Sequence, residues 1–572
     1  MDSSAIKYTD IPALKWTAGP NIMQVTYGSL FENVAKIRKS LSADGFNGSH
    51  LALIGTSSIS WMESYLAITS GNNVAIPLDP LLPSDDLIDL VKRSDSKGVF
   101  IEESNMILAE KILAQCPKVN KIYLLNDFDS KKKAYSDPKL HSISEHEFSA
   151  YSTVSNTASH STSSDINSHL ANSSINCDIE DSSKVTDSRI SNEISENHHH
   201  RISSIKTLKE LSDYADDVPG NEGDDTAMII FTSGTTGKSK GVMLSQKALI
   251  SNVESVEYDV EPGKTLLSVL PVHHAFCLVM DYLKGFSLGT TICINDSFLH
   301  MAKNMTLFKP EVMLMVPMMV ETIYKKLESV SKLLPKKMVA QKVFGGNLKT
   351  IFVGGAHLDE YYIDKFAAYG IDLYEGYGMS ECSPVISSNN PTTHKPGSVG
   401  KVLKNAQVSF EDGEVLVRST SVMKGYYKMP QETAETLKDG WLHTGDKGYL
   451  DEDGFLYING RVKNLIILSN GENISPEEIE NKLALHKLID EVVITGEDNI
   501  LTARIYPNQD IVNKKKWDED TVRSELQKVL DDFNRSQPTY RKISRLVVRQ
   551  NPFARNTTRK ILRQKALLDE PA

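Results

Sequence analysis

The sequence predicts an α/β protein: a large amino-terminal body of several subdomains and a small α+β carboxyl-terminal domain. Through most of the chain, short apolar runs ending in turn residues alternate with stretches of helical spacing, the pattern of a parallel sheet covered by helices. After Lys404 the texture changes to strands and hairpins with Asp-Gly turns, and the end of the chain mixes amphipathic helices with short strands. With 572 residues and 40% apolar content, the chain has the length for roughly two to four domains and for substantial cores.

In order along the chain, "TYGSLFENVAKIRKSLSADG" and "PSDDLIDLVKRSD" place apolar residues at helical spacing with polar faces between them. "HLALIG" and "NVAIPLD" are short apolar strands closed by turn residues. "TAMIIFTS" predicts another buried strand, and "LLSVLPV", "TTICIND", "EVMLMVP" and "LKTIFVGG" repeat the theme with helical stretches between them. "QVSFEDGEVLVRS" and "GFLYINGRVKNLIILSNG" read as strands and hairpins. "SPEEIENKLALH" and "TVRSELQKVLDDFN" are amphipathic helices accompanying the strands "EVVITG" and "LTARIYP". No internal repeat at a solenoid period is visible.

Composition removes several classes of function. A net charge of -11, with no long basic face, argues against a nucleic-acid partner, because polyphosphate backbones select clustered Lys and Arg. The cysteines Cys116, Cys177, Cys277, Cys293 and Cys382 are odd in number and lack metal-ligand spacing, so a reducing cytoplasm is expected rather than a disulfide scaffold or a zinc site. The start, "MDSSAIKYTDIPALKW", has no basic segment followed by an apolar stretch, and no apolar run reaches the roughly 18 residues needed to span a bilayer. The nearest, "VMLMVPMMV", is short and broken by Pro317. From about Asp127 to Asp225 the chain is dominated by Ser, Asn, Asp and His, and its central part, roughly 145–205, is expected to be a disordered surface insertion that buries too little apolar area to offset ordering entropy. His198, His199 and His200 within it read as a solvated triplet before they read as a metal site.

The stretch "FTSGTTGKSKG", Phe231 to Gly241, contains a Gly-Lys-Ser triplet, yet a Walker loop needs a first glycine five positions before Gly237, where Thr232 stands. Without that glycine the wrap around a β-phosphate cannot form. The stretch still suits phosphate: Gly234 and Gly237 permit close backbone approach, the hydroxyls of Thr232, Ser233, Thr235 and Thr236 donate hydrogen bonds, and Lys240 adds charge. A plain Ser/Thr/Gly hairpin is the alternative on these residues alone.

The loop resembles the Ser/Thr-Ser-Gly-Thr-Thr-Gly-x-Pro-Lys-Gly signature of the adenylate-forming (AMP-binding) superfamily, which comprises acyl-CoA synthetases, nonribosomal peptide adenylation domains and luciferases. Ser239 stands where that family usually has Pro. Further signatures follow in order over nearly the whole chain. "LPVHHAF" resembles the substrate-pocket segment, which puts His274 beside the acyl group and the adenylate. "FVGGAHL" resembles the turn that holds adenine through Gly354, Gly355 and Ala356, with His357 where Pro is common. "LYEGYGMSECSPV" resembles the segment, here carrying Glu375 and Gly376, whose aromatic stacks on adenine and whose Thr-Glu binds α-phosphate and magnesium. These positions are Tyr377, Ser380 and Glu381. "WLHTGDKGYLDEDGFLYINGRVKN" supplies Asp446, resembling the acid that accepts both ribose hydroxyls, and Arg461, resembling the arginine that reaches ribose and phosphate. Lys463 occupies the family's hinge position. "NPFARNTTRKILR" resembles the terminal Pro-x-Thr-x-x-Gly-Lys-Ile-x-Arg, which makes Lys560 the catalytic lysine, with Arg559 replacing the usual Gly.

The resemblance implies an amino-terminal AMP-binding domain over residues 1–460 and a mobile cap over 461–572. It implies ATP, Mg2+ and CoA as the reacting partners of a fatty acid of medium to long chain, because "NNPTTHKPGSVGKVL", "NGRVKNLIILSNGENISPEEIE" and "LPVHHAF" are most similar to the bacterial-type long-chain fatty-acyl-CoA synthetase branch. An acyl carrier protein as acceptor, an aryl or medium-chain acid as substrate, and a noncatalytic nucleotide-binding protein on the same fold are the alternatives. A nucleic-acid ligase would need a Lys-x-Asp-Gly nucleophile motif, which is absent. A fatty substrate leaves room for peripheral membrane contact, though no anchoring helix stands out.

Overall fold

The computed structural model describes residues 7–125, 201–204, 223–232, 239–331, 335–467, 473–497, 499–555 and 561–566. The expected insertion lies outside them apart from residues 201–204, as do Cys177, His198, His199 and His200. The loop residues Ser233, Gly234, Thr235, Thr236 and Gly237, and the terminal Lys560, also lie outside them.

Two large sheets and a smaller one make up the body among the described residues. The first large sheet runs, edge to edge, Gly425–Tyr426, Lys240–Ser245, Thr226–Thr232, Val74–Leu78, His50–Ile54, Gly98–Glu102, Lys121–Leu125 and Ile202–Ser204. From Thr226–Thr232 outward its neighbours are parallel, whereas Lys240–Ser245 is antiparallel to both of its neighbours. The second runs Lys401–Val402, Val385–Ser388, Asp372–Gly378, Thr350–Val353, Val312–Met315, Thr265–Ser268, Thr291–Ile294, Pro12–Ala18 and Asn21–Thr26. It is parallel in its middle and antiparallel at both ends. The antiparallel margins depart from the purely parallel expectation. Pro12–Ala18 with Asn21–Thr26 and Thr226–Thr232 with Lys240–Ser245 need only short connections, which antiparallel neighbours allow and parallel ones do not, whereas Gly425–Tyr426 joins Lys240–Ser245 from far along the chain. The hairpin Pro12–Ala18 with Asn21–Thr26 has no strong apolar alternation to announce it, because its second strand is largely exposed.

The helices form where the spacing places them and are closed by local caps. Tyr27–Ala43 starts at Thr26, whose side chain accepts from Ser29 N, and Ile59–Ser70 starts at Ser58, which accepts from Trp61 N. Ser84–Arg93 carries Asp85 and Asp86 in its first turn and Lys92 and Arg93 in its last, the arrangement the helix dipole favours. The largest core joins residues of both large sheets around the fully buried Trp61, Tyr27, Tyr65 and Phe286.

The third sheet is the hairpin Ala406–Glu411 with Glu414–Ser419, extended by Trp441–Leu450, to which Leu437–Lys438 and Leu456–Arg461 both pair. Its first turn is Asp412-Gly413, both residues at positive φ (48° and 79°), as a two-residue hairpin turn requires. Further on, Ile489–Glu497, Ile500–Pro507 and Ile543–Val548 form a separate sheet. Onto it pack the apolar faces of Pro476–Ala484 and Glu519–Arg535, with Ile479, Leu483, Val522, Leu526 and Leu530 in its core. No helix among the described residues is long and apolar enough to cross a membrane.

In the second sheet the parallel strands Thr265–Ser268, Val312–Met315, Thr350–Val353 and Asp372–Gly378 end on one common edge. Loops at the carboxyl ends of such strands form the crevice in which ligands bind in open α/β sheets. His273 and His274, Gly354 to Ala356, and Tyr377 all follow or close these strands.

Candidate functional site

The strand Asp372–Gly378 and the third sheet meet at one polar cluster. The Tyr377 hydroxyl donates to Asp446 Oδ2 at 2.7 Å, and Arg461 Nε lies 2.9 Å from Asp446 Oδ1. Asp446 and Arg461 are direct register partners across adjacent strands, which is why two residues fifteen apart meet. Asp446 is buried and its amide is held by Thr444 Oγ1, whereas the Arg461 side chain is half exposed. Burial and the neighbouring Asp446 carboxylate push the Tyr377 phenol well above its ordinary range, so it is a standing hydrogen-bond donor.

On the same strand, Glu375 points under the turn that follows Thr350–Val353. Its Oε1 accepts from Leu358 N at 3.0 Å and lies 3.7 Å from His357 Nδ1, while Oε2 has no hydrogen-bond partner among the described residues. Burial raises its carboxyl to about 8, so the neutral form prevails at neutral pH. Gly355 above it takes φ +86°, and Gly355, Ala356 and His357 are exposed, leaving the turn's backbone open to a flat ligand. At Gly354 an added Cβ would stand 3.0 Å from the Phe276 ring, so a larger residue there presses on the segment that bears His274.

His274 sits in the turn between Thr265–Ser268 and the π-helical segment Phe276–Leu283. Its ring packs 4.4 Å, centre to centre, from that of His273. His273 is buried, with Nε2 3.6 Å from Asp79 Oδ2. Burial and the adjacent His274 hold His273 down to about 3, so Asp79 faces a neutral ring. π-Helical turns are uncommon and concentrate near functional sites.

The third cluster joins the phosphate-loop stem to the segment after Tyr377. Ser380 and Glu381 form a short 3-10 turn, and Glu381 is buried with Oε1 accepting from the Tyr426 hydroxyl at 2.9 Å. Lys240 Nζ lies 4.6 Å from the centre of the Tyr426 ring. Lys240 pairs across the hairpin with Thr232, whose hydroxyl reaches Lys240 O at 3.5 Å. Tyr426 thus contacts both the charge at the end of the described part of the loop and the candidate metal carboxylate.

The structure links Tyr377, Asp446 and Arg461, then Glu381 with Lys240 and Thr232, while Gly354 touches the His274 segment through Phe276. Gly376 lies between Glu375 and Tyr377 on their common strand, antiparallel to Ser388. Lys463 is exposed in the turn Val462–Asn464 immediately after Arg461. Two residues that the sequence reading passed over join the site. Tyr426 is one, in "KGYYKMP", where a glycine before an aromatic pair was the available signal. Arg93 is the other, and no local signal marks it. It donates to Ser239 O at 2.5 Å and packs its guanidinium 5.5 Å from the centre of the Phe231 ring, holding both stems of the loop.

The model for AMP-binding enzymes matches residues 1–427, and that for the AMP-binding enzyme C-terminal domain matches residues 463–569. The chain is 34% identical over 371 residues to a long-chain-fatty-acid–CoA ligase of Bacillus subtilis, covering 60% of this chain and 62% of that protein. It is 30% identical over 357 residues to a 2-succinylbenzoate–CoA ligase of Geobacillus, covering 59% of this chain and 68% of that protein. The chain spans about half of the length of other long-chain ligases that it matches. Among solved structures, ATP-bound MatB from Rhodopseudomonas palustris superposes with a TM-score of 0.73 at 21% identity, covering 99% of this chain and 97% of that one. Two family models in sequence order, together with a shared fold over the full length, settle the kinship: the chain belongs to the family of AMP-binding enzymes, with the adenylate-forming fold.

Proposed function

We propose that the protein joins a carboxylic acid to AMP at the expense of ATP and then passes the acyl group to CoA, with a medium- to long-chain fatty acid as substrate. The observation that carries this reading is the meeting of Tyr377, Asp446 and Arg461 at the carboxyl edge of the second sheet, with Glu381 and Lys240 joined through Tyr426 at the loop stem. An aromatic face, a ribose-accepting acid, and a cation and a carboxylate that share one tyrosine are the groups an adenosine triphosphate needs. The long-chain ligases among the relatives support the fatty acid.

The chemistry explains the inventory. A carboxylate is a poor acyl donor because its leaving group would be oxide. Attack of its oxygen on the α-phosphorus forms the acyl-adenylate and breaks the bond to pyrophosphate. Negative charge gathers on the phosphoryl oxygens, and preorganised countercharge is the usual source of catalysis there. Tyr377 and the Gly354–Ala356 turn hold the base, Asp446 and Arg461 hold the ribose, and Thr232, Ser233, Gly234, Thr235, Thr236, Gly237 and Lys240 hold the outer phosphates. Ser380 meets the α-phosphate, His274 lies beside the acyl group, and Lys560 brings its charge to the transition state. No protein nucleophile is needed, since a thiol attacks the acyl-adenylate in the second step. The cap over 461–572 turns about Lys463 between the two steps, withdrawing Lys560.

Magnesium fits this donor set. Glu381 offers a hard carboxylate oxygen, and no group of three or more His, Cys, Asp or Glu among the described residues forms a closed cage. Magnesium held by one carboxylate, nucleotide oxygens and water is its ordinary mode in nucleotide sites. When bound it supplies positive charge to the triphosphate.

A second reading, an aryl acid as substrate, is favoured by the 2-succinylbenzoate–CoA ligase among the relatives. An acyl carrier protein could replace CoA within the same chemistry. Incubation with ATP, Mg2+ and a panel of fatty and aryl acids, with CoA and carrier protein as competing acceptors, tests the assignment by mass spectrometry of the thioester. Palmitoyl-CoA and AMP are expected. Thioester from aryl acids alone would replace the fatty-acid reading, and no thioester with any acid would refute both.

A further inference from the structure

The segment Met423 to Lys428 touches both Glu381 and the strand that begins with Lys240, yet lies outside the stretches that carry them. Glu381 is tied to it twice: Met423 N donates to the Glu381 carbonyl at 2.8 Å, and the Tyr426 hydroxyl donates to Oε1 at 2.9 Å. The segment also forms the edge strand beside Lys240–Ser245, with Tyr426 opposite Val242, Lys424 N donating to Met243 O at 2.9 Å and Tyr427 N to Gly241 O at 2.7 Å. Lys240 Nζ rests on the Tyr426 ring. One side chain therefore fixes the spacing between the loop's cation and the carboxylate of Glu381.

Local structure leaves Tyr426 little freedom. Gly425 takes φ +139°, and a Cβ there would stand 2.7 Å from Thr433 Cγ2, so glycine is required to bring the strand in. Thr433 Oγ1 accepts from Tyr426 N at 2.9 Å and itself donates to Met429 O at 2.7 Å. The side chain is buried, at 6% exposure.

We propose that Tyr426 is a positioning residue for magnesium-bound ATP: its hydroxyl orients the Glu381 carboxylate toward the metal while its ring seats Lys240 for the phosphates. The inference rests on the reading of Glu381 as the metal-binding carboxylate. Partners that orient a ligating carboxylate are worth about 10- to 100-fold in metal affinity.

The test uses the full chain with ATP and no acid, so that no turnover occurs. Mn2+ binding to the protein–ATP complex is followed by electron paramagnetic resonance, and metal-free ATP binding by calorimetry. Tyr426→Phe keeps the ring and loses the hydroxyl, and is expected to weaken Mn2+ about 10-fold while metal-free ATP affinity stays within twofold. Tyr426→Leu is expected to show the same Mn2+ defect and weaker metal-free ATP binding as well, so a folding failure of one variant leaves the other to decide. Glu381→Gln is the control for the underlying reading: if it leaves Mn2+ affinity intact, that reading falls and this inference with it. If Glu381→Gln weakens Mn2+ and the folded Tyr426 variants do not, Tyr426 has no positioning role and only this inference is overturned.

Discussion

The Tyr377 hydroxyl donates to Asp446 Oδ2 at 2.7 Å while Arg461 Nε lies 2.9 Å from Oδ1, so both oxygens of the candidate ribose acid already have protein partners. A ribose diol that binds Asp446 must share or displace them. The ring and the hydroxyl of Tyr377 then have opposite effects on nucleotide affinity. Tyr377→Ala removes a stacking face worth about 1–3 kcal/mol and is expected to raise the KM for ATP about tenfold. Tyr377→Phe keeps the face and frees Oδ2, so its KM is expected to equal or fall below that of the wild type. Initial rates against ATP concentration separate the two.

Arg93 gives a prediction remote from any motif. It bridges the two stems of the phosphate loop through Ser239 O and the Phe231 ring. Arg93→Ala removes a charge-assisted hydrogen bond at a partly exposed site, about 1 kcal/mol. The expected result is a roughly fivefold higher KM for ATP with little change in KM for the acid, read from steady-state kinetics.

Glu375 sets a pH dependence of stability. Its carboxyl titrates at the ordinary 4.5 when unfolded and at about 8 when buried beneath the Gly354–Ala356 turn. Between these values the native state holds a proton that the unfolded chain has lost, so this group makes stability fall as pH rises through the window and adds no slope above it. Glu375→Gln removes that contribution. The difference in melting temperature between variant and wild type is expected to move in the variant's favour from pH 5 to 8 and to level off above about 9. Calorimetry across this range checks it.

The role proposed for Lys560 makes the half-reactions separable. On the proposed rotation of the cap between steps, Lys560→Ala is expected to lose acyl-adenylate formation yet to convert supplied acyl-adenylate and CoA to thioester. Equal loss of both steps would contradict the assignment.

Much of this was legible in the chain because the signals are local. The Asp412-Gly413 turn, the apolar run Thr226–Thr232 and the amphipathic helix Glu519–Arg535 each carry their period or turn chemistry within a few residues. The positions of Tyr377, Asp446 and Arg461 came from motif order, and their meeting rests on a strand register that no single stretch encodes. Arg93 and Tyr426 went unread for the same reason. Arg93 lies 146 residues before the carbonyl it binds, and Tyr426 acts on a carboxylate 45 residues earlier. The hairpin Pro12–Ala18 with Asn21–Thr26 escaped because an exposed edge strand has no buried face to impose alternation.

The most direct test of acid activation is isotope exchange between pyrophosphate and ATP in the absence of any thiol. Exchange that appears only when a fatty acid is added, and that rises with its concentration to saturation, is the predicted result. Absence of exchange with every acid, from a folded protein that binds ATP, would contradict acid activation and leave a nucleotide-binding protein without this chemistry.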